Sequence, residues 1–300
     1  MALRLAISAL ALAAVLIGVP AASAWSPPPL SGVDSWAFAI GNHTLDGDAQ
    51  DVAARYSPFD LVVLDGEEAR PADIAAIQAE GTGVLLYLSV GTIEKWRSWY
   101  PDVRRYRLKA WKDWKDEWFA DTSKQGYRSA LEGIADDLLA KGADGLFLDN
   151  VDMVETSGHR AQRAGMGELV ADLDSLVSAD GVYLFDQNGA PGMLHGYPSQ
   201  GVDPLYEHFD GWNREDASWT WDFDRHRYKP VHGDGALDEL DKIAGKGLFT
   251  AATDYVNLDD DRLGPECDSV ERAASVGALD YVADIGLTKK AVAANPPDCG

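Results

Sequence analysis

The stretch Lys141-Gly142-Ala143-Asp144-Gly145-Leu146-Phe147-Leu148-Asp149-Asn150-Val151-Asp152 decides the fold. Before it, Tyr127, Leu131, Ile134 and Leu138 step by four, three and four, which is one face of a helix that Gly142 closes. Gly145 to Leu148 is a short apolar run between turn residues, the pattern of a strand buried on both faces in a parallel sheet. Asp149, Asn150 and Asp152 follow abruptly. The carboxyl ends of such strands are where α/β barrels and open α/β sheets place their chemistry. A single acid there either caps the next helix or takes part in a reaction, and burial beside a second acid would tune its pKa.

The same alternation recurs on both sides. Ser35 to Ile40, Asp60 to Asp65, Val84 to Val90, Val182 to Phe185, His208 to Trp212 and Leu248 to Ala252 read as strands, and Tyr281 to Ile285 either joins them or covers them. Helical runs lie between, one opened by Pro71, one carrying Met166, Leu169, Val170 and Leu173, and one carrying Leu237, Leu240 and Ile243. Glu94 to Trp118 is an aromatic and basic excursion with Trp111, Trp114 and Trp118 at helical spacing, and Trp118 to Asp121 is a further candidate strand. Seven or eight strands alternating with helices and no clear break predict a single-domain (β/α)8 barrel, with an open doubly wound sheet as the competitor. Dinucleotide, P-loop, nucleophile-elbow and zincin motifs do not occur.

Arg4, the apolar run Leu5 to Val19 and Ala22-Ser23-Ala24 describe a secretory signal peptide over residues 1–24. A Pro-rich linker, 25–34, and a catalytic-type domain, 35–300, would follow. The run is too short for a membrane span, so a secreted, extracellular protein with no membrane association after cleavage is expected. Cys267 and Cys299 are the only cysteines, and in an exported chain one disulfide stapling the tail is the simplest use of them. The formal charge of −23 disfavours nucleic acid and attracts cations or cationic polymers, or else serves solubility alone. A monomer is expected.

Asp65, Tyr87, Ser89, Asp149, Asp152, Asn188 and Glu215 fall at predicted strand ends, which in a parallel barrel share one rim. Two acids across a sugar-sized gap are what glycoside hydrolysis needs: one attacks or stabilises the oxocarbenium-like centre, the other protonates the leaving oxygen. Asp149 with Asp152, or Asp259-Asp260-Asp261, could instead hold a hard cation, but the spacing is not that of an EF-hand. No metal and no cofactor are expected. Trp36, Trp96, Trp212 and Trp219 lie near strand ends or rim loops, where an indole either packs in the core or stacks on a sugar.

From about Trp36 to Ala252 the chain resembles glycoside hydrolase family 114, the endo-α-1,4-polygalactosaminidase-like (β/α)8 barrels. The resemblance rests on Tyr87-Leu88-Ser89-Val90-Gly91 with Glu94, on Gly142 to Asp152, on Gln187-Asn188-Gly189, and on Phe209 to Glu215 in that order and spacing. It implies Asp149 as nucleophile and Glu215 as acid/base. It further implies Asp65, Tyr87, Asn188 and Asp152 as subsite or orienting residues, with Ser89, Glu94, Trp212 and Trp36 completing the expected substrate-binding set. The implied substrate is a partly deacetylated α-1,4-galactosaminan, a polycation that suits an acidic protein, cleaved within the chain with retention. Two alternatives stay open: a non-catalytic secreted glycan-binding barrel, and a hydrolase of this build acting on another α-glycan.

Overall fold

A computed structural model describes residues 25–259 and 263–299. The expected signal peptide, and Asp260 and Asp261 of the acidic run, lie outside the described residues. Eight parallel strands form one sheet in chain order: β1 Trp36–Ala39, β2 Leu61–Asp65, β3 Gly83–Ser89, β4 Gly145–Asp149, β5 Tyr183–Gln187, β6 Gly211–Glu215, β7 Phe249–Tyr255 and β8 Leu279–Ala283. Each is followed by a helix: α1 Ala49–Tyr56, α2 Pro71–Ala79, α3 Gln125–Leu139, α4 Arg163–Asp180, α5 Ala190–His195, α6 Gly235–Ala244, α7 Gly264–Ala274 and α8 Lys289–Ala294. β1 and β8 come side by side without a ladder between them, and just above them Gly41 N donates to Leu287 O at 3.0 Å. The result is a nearly closed (β/α)8 barrel.

Most of these strands are apolar on both faces up to their carboxyl ends because both faces are covered. Alternation still sorts the side chains, since successive residues point to opposite faces. Inside, Phe38 packs on Phe147 with ring centroids 4.9 Å apart, and Phe185 on Phe249 at 5.5 Å. These rings fill the lower barrel, so it is a packed core and not a pore. One or two inward positions further along each strand, at the carboxyl end, the residues turn polar: Tyr87 and Ser89 on β3, Asp149 on β4, Gln187 on β5, Asn213 and Glu215 on β6, Thr253 and Tyr255 on β7.

Several expectations need correction. Trp118 to Asp121 is no barrel strand. Glu117–Ala120 is the centre of a small antiparallel sheet, flanked by Thr92–Glu94 and Arg107–Ala110, that sits in the β3–α3 connection. Trp111, Trp114 and Trp118 therefore occupy no helix: Trp111 packs on Trp114 and Phe119, while Trp118 lies against Tyr100. His208 closes a 3-10 turn, and β6 starts only at Gly211. Residues 25–34 are no free tether either. Trp25 Nε1 donates to Asp144 Oδ1 at 2.6 Å and Tyr183 OH to Pro28 O at 3.1 Å, so this segment lies across the amino end of the barrel. Cys267 and Cys299 are bonded, and the bridge ties the C-terminal segment to α7.

Candidate active site

The two acids of the sequence reading project from β4 and β6, on either side of β5, and both are partly accessible. Consecutive residues of β5 and its end hold them: Gln187 Nε2 donates to Asp149 Oδ1 at 3.1 Å, and Asn188 Nδ2 to Glu215 Oε2 at 2.7 Å. Consecutive Cα atoms are only ~3.8 Å apart, so both carboxyls are tied to one step of backbone. Asn213 Nδ2 braces Gln187 Oε1 at 3.0 Å, and Thr253 Oγ1 donates to Asn213 Oδ1 at 3.2 Å.

Asp149 receives four donors: Tyr87 OH at 2.7 Å, Asn150 N at 2.7 Å, Gln187 Nε2 at 3.1 Å and Asn150 Nδ2 at 3.2 Å. Only the ionised carboxylate can accept from all of them without turning a proton of its own against a donor. Burial first, and the Glu215 charge second, push this carboxyl well above the ordinary carboxylate range, while the Tyr87 hydroxyl pulls it down. Glu215 accepts from Tyr255 OH as well as from Asn188. Arg214, its neighbour in sequence, does not meet the Glu215 carboxylate. Its guanidinium donates to the Glu215 carbonyl at 2.7 Å, to Asn188 Oδ1 at 3.0 Å and to Glu239 at 3.0 Å. Asn150 and Asn188 both take left-handed backbone (φ 64° each), which turns the chain sharply at the mouth and aims their amides back at the acids.

A cleft of ≈ 250 Å³ opens beside Glu215, walled by Asp152, Glu155, Asn188, Arg214, Asp216 and Glu239 among others. A larger groove of ≈ 550 Å³, along Thr220 and Arg227 to His232, touches neither acid. Asp152 is held up at about 7 by burial, then by Glu155 and Glu215. Because that value lies above the ordinary one of 3.8, the stabilising advantage of its protonated form is complete below 3.8 and lost as pH rises through about 7. Asp152→Asn, which stays neutral, is therefore expected to gain melting temperature over the wild type as pH rises from 4 to 8. Parallel melting curves across that range would contradict the assignment.

Other expected substrate residues are not free to touch a ligand. Asp65 and Glu94 grip Arg97, whose Nη1 lies 2.7 and 2.8 Å from the Asp65 oxygens and whose Nε lies 2.6 Å from Glu94. All three are buried, with Arg97 over the Tyr87 ring at 5.8 Å, so the cluster stiffens the site from behind. Ser89 is buried against Thr92 and Asn150. Trp36 sits at the amino end of β1, 3 % exposed, stacked on Phe38; it floors the barrel and cannot reach a sugar at the mouth. Trp212 is fully buried on the outward side of β6, its indole N–H spent on Asn188 O. Trp96 is 53 % exposed, and Trp219 Nε1 donates to Asp268. Asp259 pairs with Lys290. Among the described residues no cluster of three or more His, Cys, Asp or Glu is placed to hold a metal ion.

Sequence reading missed Arg97, Tyr255 and Asn213 as part of this constellation. Tyr255 was legible as the aromatic two residues past Thr253, but β7 was read as ending at Ala252. Arg97 lay in an excursion whose basic residues otherwise face solvent.

A nearly closed parallel barrel with a pair of carboxyls at its carboxyl mouth is the build of a (β/α)8 glycosidase-type protein. The chain belongs to glycoside-hydrolase family GH114, whose profile it matches over residues 18–194. It is similar to the glycoside hydrolase domain of PelA from Pseudomonas aeruginosa, with 24 % identity and a TM-score of 0.66 over 85 % of this chain and 96 % of that one. It is also similar to Aspergillus fumigatus Ega3, solved in complex with galactosamine, at 17 % identity and a TM-score of 0.64 over 85 % and 92 %. These two likenesses speak for the fold. An uncharacterised protein of Deinococcus radiodurans is 26 % identical over 290 residues, 91 % of this chain and 87 % of that protein.

Proposed function

We propose that this chain is a secreted, endo-acting glycoside hydrolase that cleaves α-1,4-linked, galactosamine-containing polysaccharide, with Asp149 as nucleophile and Glu215 as acid/base. The observation that carries the reading is the tie of both carboxyls to Gln187 and Asn188 at one barrel mouth. In the first step Asp149 Oδ attacks the anomeric carbon, the glycosidic C–O bond breaks, and Glu215 gives its proton to the leaving oxygen. In the second, Glu215 takes a proton from water, whose oxygen displaces Asp149. Tyr87, Asn150 and Gln187 hold the attacking carboxylate, and Asn188 and Tyr255 hold the acid. Asp152, Glu155, Asp216 and Glu239 line the adjoining cleft against the cation Arg214, an excess of acids that suits ammonium-bearing sugars. The galactosamine bound to Ega3 points the same way. Export is supported by the Cys267–Cys299 bridge, a bond that persists in oxidising compartments.

The test is incubation with partly deacetylated α-1,4-galactosaminan, its fully N-acetylated form and an α-glucan, with fragments followed by mass spectrometry. Cleavage of the first polymer, weakening as salt is raised, is the expected result. Equal cleavage of the N-acetylated polymer would remove the cationic substrate, and binding without fragments would make the protein a glycan-binding barrel.

A further inference from the structure

Beyond the residues that touch the two acids, a buried chain of hydrogen bonds runs from Asp149 out of the barrel into the inserted sheet. Asn150 Nδ2 lies 3.2 Å from Asp149 Oδ2, donates to Ser89 Oγ at 3.0 Å and also reaches Thr92 Oγ1 directly at 3.3 Å. Ser89 Oγ is 2.6 Å from Thr92 Oγ1, and Thr92 Oγ1 donates to Glu117 Oε1 at 2.5 Å. Ser89, Thr92, Glu117 and Asn150 are all buried. The direction of the chain follows from chemistry. The Asn150 amide nitrogen can only donate, so Ser89, accepting from it, turns its own hydrogen to Thr92. Thr92 then turns its hydrogen to Glu117, which as a carboxylate only accepts. Gly91 lets this sheet come so close: a Cβ there would collide with the Asn150 carbonyl.

We propose that Glu117 is a positioning residue that, through Thr92, Ser89 and Asn150, fixes the Asp149 carboxylate for attack. The inference rests on Asp149 being the nucleophile. Among the described residues Glu117 has no hydrogen-bonded side-chain partner other than Thr92, and the charged groups facing it are Glu94, across the sheet ladder, and Arg97. Burial holds it up at about 7 while the Thr92 hydroxyl pulls it down, so the chain takes this direction as pH rises through that value.

Thr92→Val keeps the shape and removes the link. The expected result is a fall in kcat of about tenfold with KM within about twofold, the signature of a misplaced reacting group. Thr92→Ser restores kcat. Ser89→Ala, which adds no bulk, lowers kcat less than Thr92→Val, because the direct Asn150–Thr92 contact at 3.3 Å remains. Glu117→Leu costs about as much as Thr92→Val, and the double variant is no worse than the worse single, because both break one chain. In the resting protein, the Asp149 carboxyl followed by ¹³C NMR titrates at higher pH in Thr92→Val and Ser89→Ala than in wild type, since the anion has lost an oriented donor. Wild-type kcat in Thr92→Val or Ser89→Ala, additive losses, a Thr92→Ser as impaired as Thr92→Val, or an unmoved Asp149 titration overturns the proposal. A wild type that leaves galactosaminan intact overturns the substrate assignment instead, and the titration then decides the relay. Full activity in Asp149→Asn removes the nucleophile assignment itself.

Discussion

Asp149→Asn is expected to lose at least about a thousandfold in kcat, equivalent to about 4 kcal/mol of barrier. The substitution is isosteric, so circular dichroism and melting temperature stay close to wild type while the chemistry stops. An amide cannot attack, and its nitrogen must turn hydrogens either towards Asn150 N and Gln187 or towards Tyr87 and the Asn150 side chain, all of which donate to the native carboxylate. Glu215→Gln should lose as much with a sugar leaving group, which needs a proton. It should lose much less with a fluoride leaving group, which departs without one. Fragment release at wild-type rate by either variant would take that residue out of its role.

The second large effect is on stability. Arg97→Met is expected to destabilise by about 3–5 kcal/mol, the cost of leaving buried charges without their partner. Arg97 is the cation between Asp65 and Glu94, and all three are less than a tenth exposed. The pH dependence has a definite sign. Burial already raises Glu94 above its ordinary value, with Arg97 opposing the rise. For a carboxyl raised in this way, the stability of the protonated form is present below the unfolded value and lost as pH rises through the folded one. Without Arg97 the rise is larger, so the deficit is greatest at neutral pH and shrinks on acidification. Urea unfolding of both proteins at pH 7 and pH 5 measures it. A deficit below about 1 kcal/mol at pH 7, or one that grows on acidification, would contradict the cluster.

The fold was legible because a parallel strand covered on both faces must be apolar throughout and must stop at a turn. Gly145 to Leu148, Leu61 to Leu64 and Leu85 to Leu88 obey that, and the acids stand where the apolar run ends. The strand-end acids were legible for the same reason, and the choice of Asp149 and Glu215 among them came from the family resemblance. What remained hidden was pairing between elements distant in the chain. Nothing local distinguishes Asp65, salt-bridged to Arg97, from an acid open to substrate. Trp36 and Trp212 flank strands in sequence just as rim residues do. One lies at the wrong end of its strand and the other on the wrong face, and a one-residue change of register moves a side chain between barrel and helix layer. The inserted sheet was missed because Trp111, Trp114 and Trp118 imitate a helical period within a hairpin.

The most direct measurement is of the covalent step. Glu215→Gln, incubated with an α-galactosaminyl fluoride, should lose fluoride as the anomeric carbon bonds to Asp149 Oδ, and the ester should persist because the base that activates water is gone. Peptide mapping by mass spectrometry is predicted to find one hexosamine on the peptide that contains Asp149 and on no other. Rapid fluoride release with no adduct, or an adduct on a different residue, would contradict the account.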